Sequence, residues 1–172
     1  MRSIILLMNM KLLFNSPNGS TYNIVDLVRE IKSFIDEDPY SFYSLIIGTD
    51  SQAKRINGES EINFVTAVVI YRKKRGAKYY WRKEREVKKL VLREKIYTET
   101  SISLETASLL VPEVRKVISP VKYDLEIHID VGPLGQTRTM IKEVVGMVTG
   151  NGYIAKTKPE SWGASKVADK HT

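Results

Sequence analysis

The chain has 172 residues, 42% apolar, 27% charged and 9% aromatic, the size and composition of one globular domain with a sizeable core, which excludes wholesale disorder. It contains no cysteine, so disulfides, thiolate zinc sites, iron–sulfur clusters and a thiol nucleophile are excluded; that suits a reducing compartment, and the cytoplasm is the expected location. The net charge is +7, and positions 72–89 alone hold ten basic and two acidic residues, so the whole excess lies in one segment.

No apolar run approaches the ~20 residues that a membrane span needs, and no membrane partner is expected. Residues 4–8 are apolar but few, lack a small-residue cleavage site and are soon followed by Lys11; they read as the edge of a helix or strand and not as a signal peptide. Asn15-Ser16-Pro17-Asn18-Gly19-Ser20 is a dense turn signal. Positions 23–37 carry Ile24, Leu27, Val28, Ile31, Phe34 and Ile35 at helical spacing, with Asn23 or Thr21 as cap and Asp38-Pro39 as the stop. Positions 43–49 are short and apolar and predict a buried strand with Asp50 at its C-terminal end. Positions 53–60 read as a polar loop. A second strand is predicted over 62–71, a hairpin turn over 73–76, and a returning strand over 78–83 with Tyr79, Tyr80 and Trp81. Those aromatics suit either base stacking or a core.

Positions 103–118 predict a helix through Leu104, Ala107, Leu110, Val111, Val114 and Val117, capped by Ser101 or Ser103 and kinked or split at Pro112. Positions 124–131 alternate: Leu125, Ile127, Ile129 and Val131 face one way, and Asp124, Glu126, His128 and Asp130 the other. Gly132-Pro133-Leu134-Gly135 is a turn. A helix over 137–149, with Met140, Ile141, Val144, Val145 and Val148 inward, stops at Gly150-Asn151-Gly152. A last strand over 153–158 and a helix over 161–170, capped by Glu160 or Ser161 and carrying Asp169, complete the pattern. There is no repeat, low-complexity tract or linker. The expected fold is α/β: a mixed five-stranded sheet, made of a three-stranded antiparallel meander plus parallel strands, flanked by helices. One domain is expected over 1–172, with 1–40 as an N-terminal extension whose single helix packs on it.

Two sets of residues suggest chemistry. Arg72, Lys73, Lys74, Arg75, Lys78, Arg82 and Lys83 are a localised basic element, suited to a nucleic-acid backbone or, alternatively, to a solvated hairpin tip that resists aggregation. Asp50 and Asp130 lie late on strands that should be neighbours, Glu105 opens the helix in Ser103-Leu104-Glu105-Thr106-Ala107, and Asp169 lies near the end of the last helix. Oxygen donors from separate elements, with only two histidines, suit Mg²⁺ or Mn²⁺ and suit zinc poorly. Each acid also has a plain alternative. Asp50 can be a turn residue, Glu105 a first-turn acid favoured by the helix dipole, and Asp169 an exposed helix residue. Asp130 is the hardest to explain that way, because an acid on a central strand is costly unless paired or metal-bound.

A meander, a helix and then alternating parallel strands resemble the ribonuclease H fold. More closely, Phe14-Asn15-Ser16-Pro17-Asn18-Gly19, Ile47-Gly48-Thr49-Asp50-Ser51-Gln52, and Lys158-Pro159-Glu160-Ser161-Trp162 through Val167-Ala168-Asp169-Lys170-His171-Thr172 are similar to the YkuK-type family within the ribonuclease H-like group. The resemblance spans almost the whole chain. It implies an acidic quartet at Asp50, Glu105, Asp130 and Asp169, holding two Mg²⁺ or Mn²⁺ ions that serve phosphodiester hydrolysis. His171 would shuttle protons, and Lys158, Ser161 and Ser165 would touch phosphate. The immediate Ser51 after Asp50 departs from the pattern of many members, in which a serine follows two residues later. The implied activity is a metal-dependent nuclease acting on RNA, DNA or a hybrid. The alternatives are a non-catalytic nucleic-acid-binding or protein-interaction module, and an enzyme of nucleotide metabolism, for which no glycine-rich phosphate loop is present.

Overall fold

The computed structural model describes residues 11–171, so the apolar stretch at 4–8 lies outside the described residues. The chain opens with a small hairpin of β1 (Phe14–Asn15) and β2 (Thr21–Tyr22), followed by α1 (Ile24–Asp36). A meander of β3 (Tyr43–Ile56), β4 (Glu59–Arg72) and β5 (Gly76–Glu86) leads into α2 (Leu92–Val117). Then come β6 (Tyr123–His128), α3 (Ile141–Gly150), β7 (Ile154–Lys156) and α4 (Trp162–His171). The strands form one sheet in the order β2-β1-β5-β4-β3-β6-β7, antiparallel through the meander and parallel at β3-β6-β7. The five expected strands are therefore its body. The turn-rich 15–20 segment adds two short strands, joined where Asn15 pairs with Trp81 on β5.

Strand alternation divides the sheet into two faces. Leu45, Ile47, Val68, Ile70, Tyr80 and Ile127 point to the layer of α1, α2 and α3, meeting Leu27, Ile31, Leu110, Val114 and Val144. Ile46, Ala67 and Val69 point to the other face, where α4 lays Val167, flanked by Trp162. Each Ile or Leu fully buried in these layers stabilises the fold by roughly 1.5–3 kcal/mol. The helix at 24–36 starts where expected, because the Asn23 side chain accepts the Asp26 N–H at 3.0 Å. No helix among the described residues is long and apolar enough to cross a membrane.

Three expectations about elements are corrected. The 53–60 loop is absent: β3 and β4 continue to Ile56 and from Glu59, joined by a two-residue turn at Asn57 (φ 50°) and Gly58 (φ 85°). Asn-Gly is the preferred pair for such a turn, because both positions need the left-handed region. Asp50 consequently lies within β3 and not at its end. Its parallel partner β6, however, pairs only as far as Gly48 opposite His128, so Asp50 lies two residues beyond the last parallel pair. Finally, α2 starts at Leu92, well before Ser103, and runs as one helix through Pro112. Its start is fixed by the Val91 N–H donating to Glu94 Oε2 at 3.1 Å.

Candidate functional site

β6 ends at His128, opposite Gly48, so Asp50 and Asp130 each lie two residues past the last parallel pair, Asp50 on the face that α4 covers. Asp169 lies exposed on α4. Asp50 is half-buried, and its carboxyl is pushed above the usual aspartate range, first by burial and then by the negative charge of Asp130. Asp169 adds to that push, while the Ser51 N–H, donating to Asp50 Oδ1 at 2.8 Å, and the charge of Lys95 oppose it. Asp130 is held by Lys158, whose Nζ lies 2.9 Å from Oδ1.

Glu105, expected to open the helix, is exposed on α2. Six residues earlier, about 120° round the helix, Glu99 is 2% exposed. It accepts the Ser51 hydroxyl on Oε1 at 2.7 Å, with Lys95 Nζ 3.6 Å from the same oxygen, and its Oε2 is buried without a partner. Burial pushes its pKa up to about 7, with Asp50 and Asp130 adding to the rise and Ser51 and Lys95 opposing it. Glu99 belongs to a polar seam between α2 and the sheet. There the Ser103 hydroxyl donates to Thr49 Oγ1 at 2.9 Å, and Thr49 and Thr66 share a hydroxyl bond at 3.0 Å. The signal for Glu99 lay in spacing: Glu99, Ser103 and Thr106 continue the stripe of Ile96 and Leu110 on one helix face, and all five are buried.

The donor chemistry of this set is uniform. Asp50, Glu99, Asp130 and Asp169 offer only carboxylate oxygens, the ligands that Mg²⁺ and Mn²⁺ prefer. The unpartnered Glu99 Oε2, and the rise that neighbouring carboxylates add at Asp50 and Glu99, suit a cation near these two acids. As the side chains stand, no three His, Asp or Glu among the described residues are arranged to hold a metal ion. Lysines supply the positive charge instead, Lys158 at Asp130 and Lys95 at Glu99.

Both histidines are packed. The His171 ring stacks on Trp81 with centroids 3.5 Å apart and planes at 12°, and its Nε2 is buried without a partner. The same stack covers one face of Trp81. His128 is 2% exposed beneath α4, its Nε2 3.0 Å from Glu126 Oε2. Of the remaining phosphate candidates, Ser161 is buried with its hydroxyl unpartnered and Ser165 is half-buried on α4.

The basic segment separates by strand face. Arg72 is a structural tie: it donates to the Phe34 carbonyl at 2.9 Å and to the Tyr43 hydroxyl at 3.1 Å, and pairs with Glu37 at 3.0 Å. Arg75 pairs with Asp38, and Lys78 lies 3.8 Å from Glu37. Glu37 and Asp38 lie outside the segment, so its local excess is smaller in space than in sequence. Arg82 pairs with Glu84 at 2.8 Å, and Lys73 lies over the Phe42 ring. Lys74 occupies the exposed hairpin tip at φ 63°. Lys83 is different. It is opposite Val65, which is opposite Asp50, so it shares the face of Asp50 two strands away, roughly 10 Å at the usual strand spacing. It is exposed and has no ion-pair partner among the described residues.

Comparison with known proteins agrees with this architecture. A family model described as Ribonuclease H-like matches residues 26–172. A Bacillus subtilis (strain 168) relative named "Uncharacterized protein YkuK" is 33% identical over 171 residues, covering 93% of this chain and 96% of the relative. No solved structure matches. With the meander, the parallel strands and a family match over most of its length, the chain belongs to the YkuK-type ribonuclease H-like family.

Proposed function

We propose that this chain is a divalent-metal-dependent nuclease that hydrolyses phosphodiester bonds of nucleic acid, with Asp50, Glu99, Asp130 and Asp169 as its acidic set. The observation that carries the reading is Glu99: a carboxyl buried to 2% exposure, with one oxygen unpartnered, electrostatically coupled to Asp50 and Asp130. A merely structural residue at that position gains more from an apolar side chain, because a buried acid without full hydrogen bonding destabilises the fold. Bound at these carboxylates, Mg²⁺ or Mn²⁺ supplies Lewis-acid stabilisation of the charge that builds on the phosphodiester. The chain's own residues do the rest. Asp50 occupies the centre of the set, and the Ser51 N–H orients its carboxylate. The Ser51 hydroxyl orients Glu99. Lys158, which pairs with Asp130, would contact a substrate phosphate at the acidic set, and Lys83 would meet the backbone further along. His171, stacked on Trp81, anchors α4 in this reading and does not move protons.

A second reading, a non-catalytic nucleic-acid-binding module, is favoured by the Lys158–Asp130 ion pair, which closes the acids with a lysine. A cleavage assay separates the two. Labelled RNA, DNA and hybrid duplexes are incubated with Mg²⁺ or Mn²⁺ and the wild type, Glu99→Gln, Asp130→Asn or Glu105→Gln. The nuclease reading expects metal-dependent cleavage by the wild type and Glu105→Gln, lost in the other two. Binding of every substrate without cleavage of any overturns it in favour of the module.

A further inference from the structure

His128 is a buried polar side chain that the proposed reaction does not use. It lies on β6, and its ring bridges two layers. On one side the Gly163 N–H of α4 donates to Nδ1 at 3.1 Å. An N–H pointing at Nδ1 leaves that nitrogen as the acceptor and puts the ring proton on Nε2. Nε2 therefore donates to Glu126 Oε2 at 3.0 Å, and Glu126 Oε1 accepts the Ser44 hydroxyl of β3 at 3.1 Å. The chain Ser44–Glu126–His128–Gly163 thus runs from the sheet to the first turn of α4. Backbone and ring approach so closely there that a Cβ on Gly163 would lie 2.9 Å from Ile46 Cγ2 and 3.2 Å from His128 Nδ1. Trp162 packs edge-on against the His128 ring at 5.8 Å. At its far end α4 is tied by the His171–Trp81 stack and by Lys170 Nζ on the Tyr79 hydroxyl at 3.0 Å. Between these two ties α4 carries Asp169, whose charge reaches Asp50.

We infer that His128 is a positioning residue: by accepting the Gly163 N–H it sets the height and rotation of α4 on the sheet, and so sets where α4 carries Asp169 relative to Asp50. This rests on the nuclease reading for its consequence, but its geometry is independent of it. The two ring nitrogens can be separated by substitution. His128→Asn keeps an acceptor where Nδ1 lies and gives up the bond to Glu126. His128→Gln keeps a donor toward Glu126 and gives up the acceptor for Gly163.

The test combines Mn²⁺ titration calorimetry with amide hydrogen exchange across α4, on wild type, His128→Asn, His128→Gln, Asp169→Asn and the Asp169→Asn/His128→Gln double variant. Outer partners of metal ligands typically change metal affinity by 10–100-fold, and His128→Gln is expected at the low end, about tenfold weaker. It is expected to add nothing further once Asp169 is gone, because it acts through that residue. Exchange is expected to quicken along α4 in His128→Gln, and His128→Asn is expected to restore both readouts most of the way. Three results overturn the inference: unchanged α4 exchange in His128→Gln, fully additive losses in the double variant, or His128→Asn as damaging as His128→Gln. If the wild type binds no Mn²⁺, the nuclease reading fails and the exchange pattern alone decides the anchoring. Loss of protection confined to α4 then supports it, and its absence overturns it.

Discussion

Replacing Glu99 by Gln should make the protein more stable at alkaline pH and remove a pH dependence that the wild type shows. The Glu99 carboxyl is raised from 4.5 to about 7 in the fold, chiefly by burial. An unfolded chain ionises this group from about pH 4.5 upward, while the folded chain resists until about pH 7. The folded form therefore binds the proton more tightly. Its stabilising effect is fully present below pH 4.5, is lost progressively as pH rises through 7, and changes no further beyond. A shift of that size corresponds to about 3 kcal/mol at 1.36 kcal/mol per unit. Glutamine is uncharged throughout, and its carbonyl can still accept the Ser51 hydroxyl that bonds Glu99 at 2.7 Å. The lost pair with Lys95, at 3.6 Å and on a partly solvated lysine, offsets little of the gain. Urea unfolding at pH 5 and pH 8, in a chelator, measures the effect. Between those values the difference in stability between Glu99→Gln and wild type should shift toward the variant by roughly 2–3 kcal/mol. The comparison with wild type cancels Asp50, whose carboxyl is shifted in the same direction. Parallel curves for the two proteins would refute the claim that Glu99 is an uncompensated buried acid.

Other outcomes follow from the same geometry. Arg72→Ala should lower the urea midpoint of unfolding, because it strips charged hydrogen bonds from the Phe34 carbonyl, Tyr43 and Glu37. Lys83→Ala should leave stability within about 0.5 kcal/mol, yet in a nucleic-acid binding assay reduce the salt slope by about one phosphate contact. Equal effects of the two on stability would contradict the division of the basic segment by face. Lys158→Ala should tighten Mn²⁺ binding, because it removes the ammonium 2.9 Å from Asp130; calorimetry showing weaker binding would mean that the lysine supports the ion instead of competing with it. His171→Ala should lower the melting temperature through loss of the Trp81 stack, worth about 1 kcal/mol, and, because that stack ties the end of α4 next to Asp169, should weaken Mn²⁺ binding as well, as read by differential scanning and titration calorimetry.

The fold was legible because its apolar spacing is regular. Leu45 and Ile47 alternate with Ile46 along β3, and Leu27, Ile31 and Phe34 recur along one face of α1. Asp50 and Asp130 stood out as acids beside apolar strand residues, each two residues past the last parallel pair of β3 and β6. The first turns of α2 were hidden because their buried face is polar: Glu99, Thr100, Ser103 and Thr106 give no apolar period, so the pattern began only near Leu104 and pointed to the exposed Glu105. The strand ends at 53–60 were hidden because that part of the β3–β4 hairpin is largely exposed and polar, although Asn57-Gly58 was a turn signature in plain view. The charge count over 72–89 overstated a free basic patch, since Glu37 and Asp38, far away in sequence, return to it in space.

The central claim is that Asp50, Glu99, Asp130 and Asp169 form a divalent-metal site. The most direct measurement is titration of the wild type and Asp130→Asn with Mn²⁺ by calorimetry. Stoichiometric binding by the wild type, abolished or greatly weakened in Asp130→Asn, is the predicted result. Binding of equal strength by both proteins, or by neither, would contradict it.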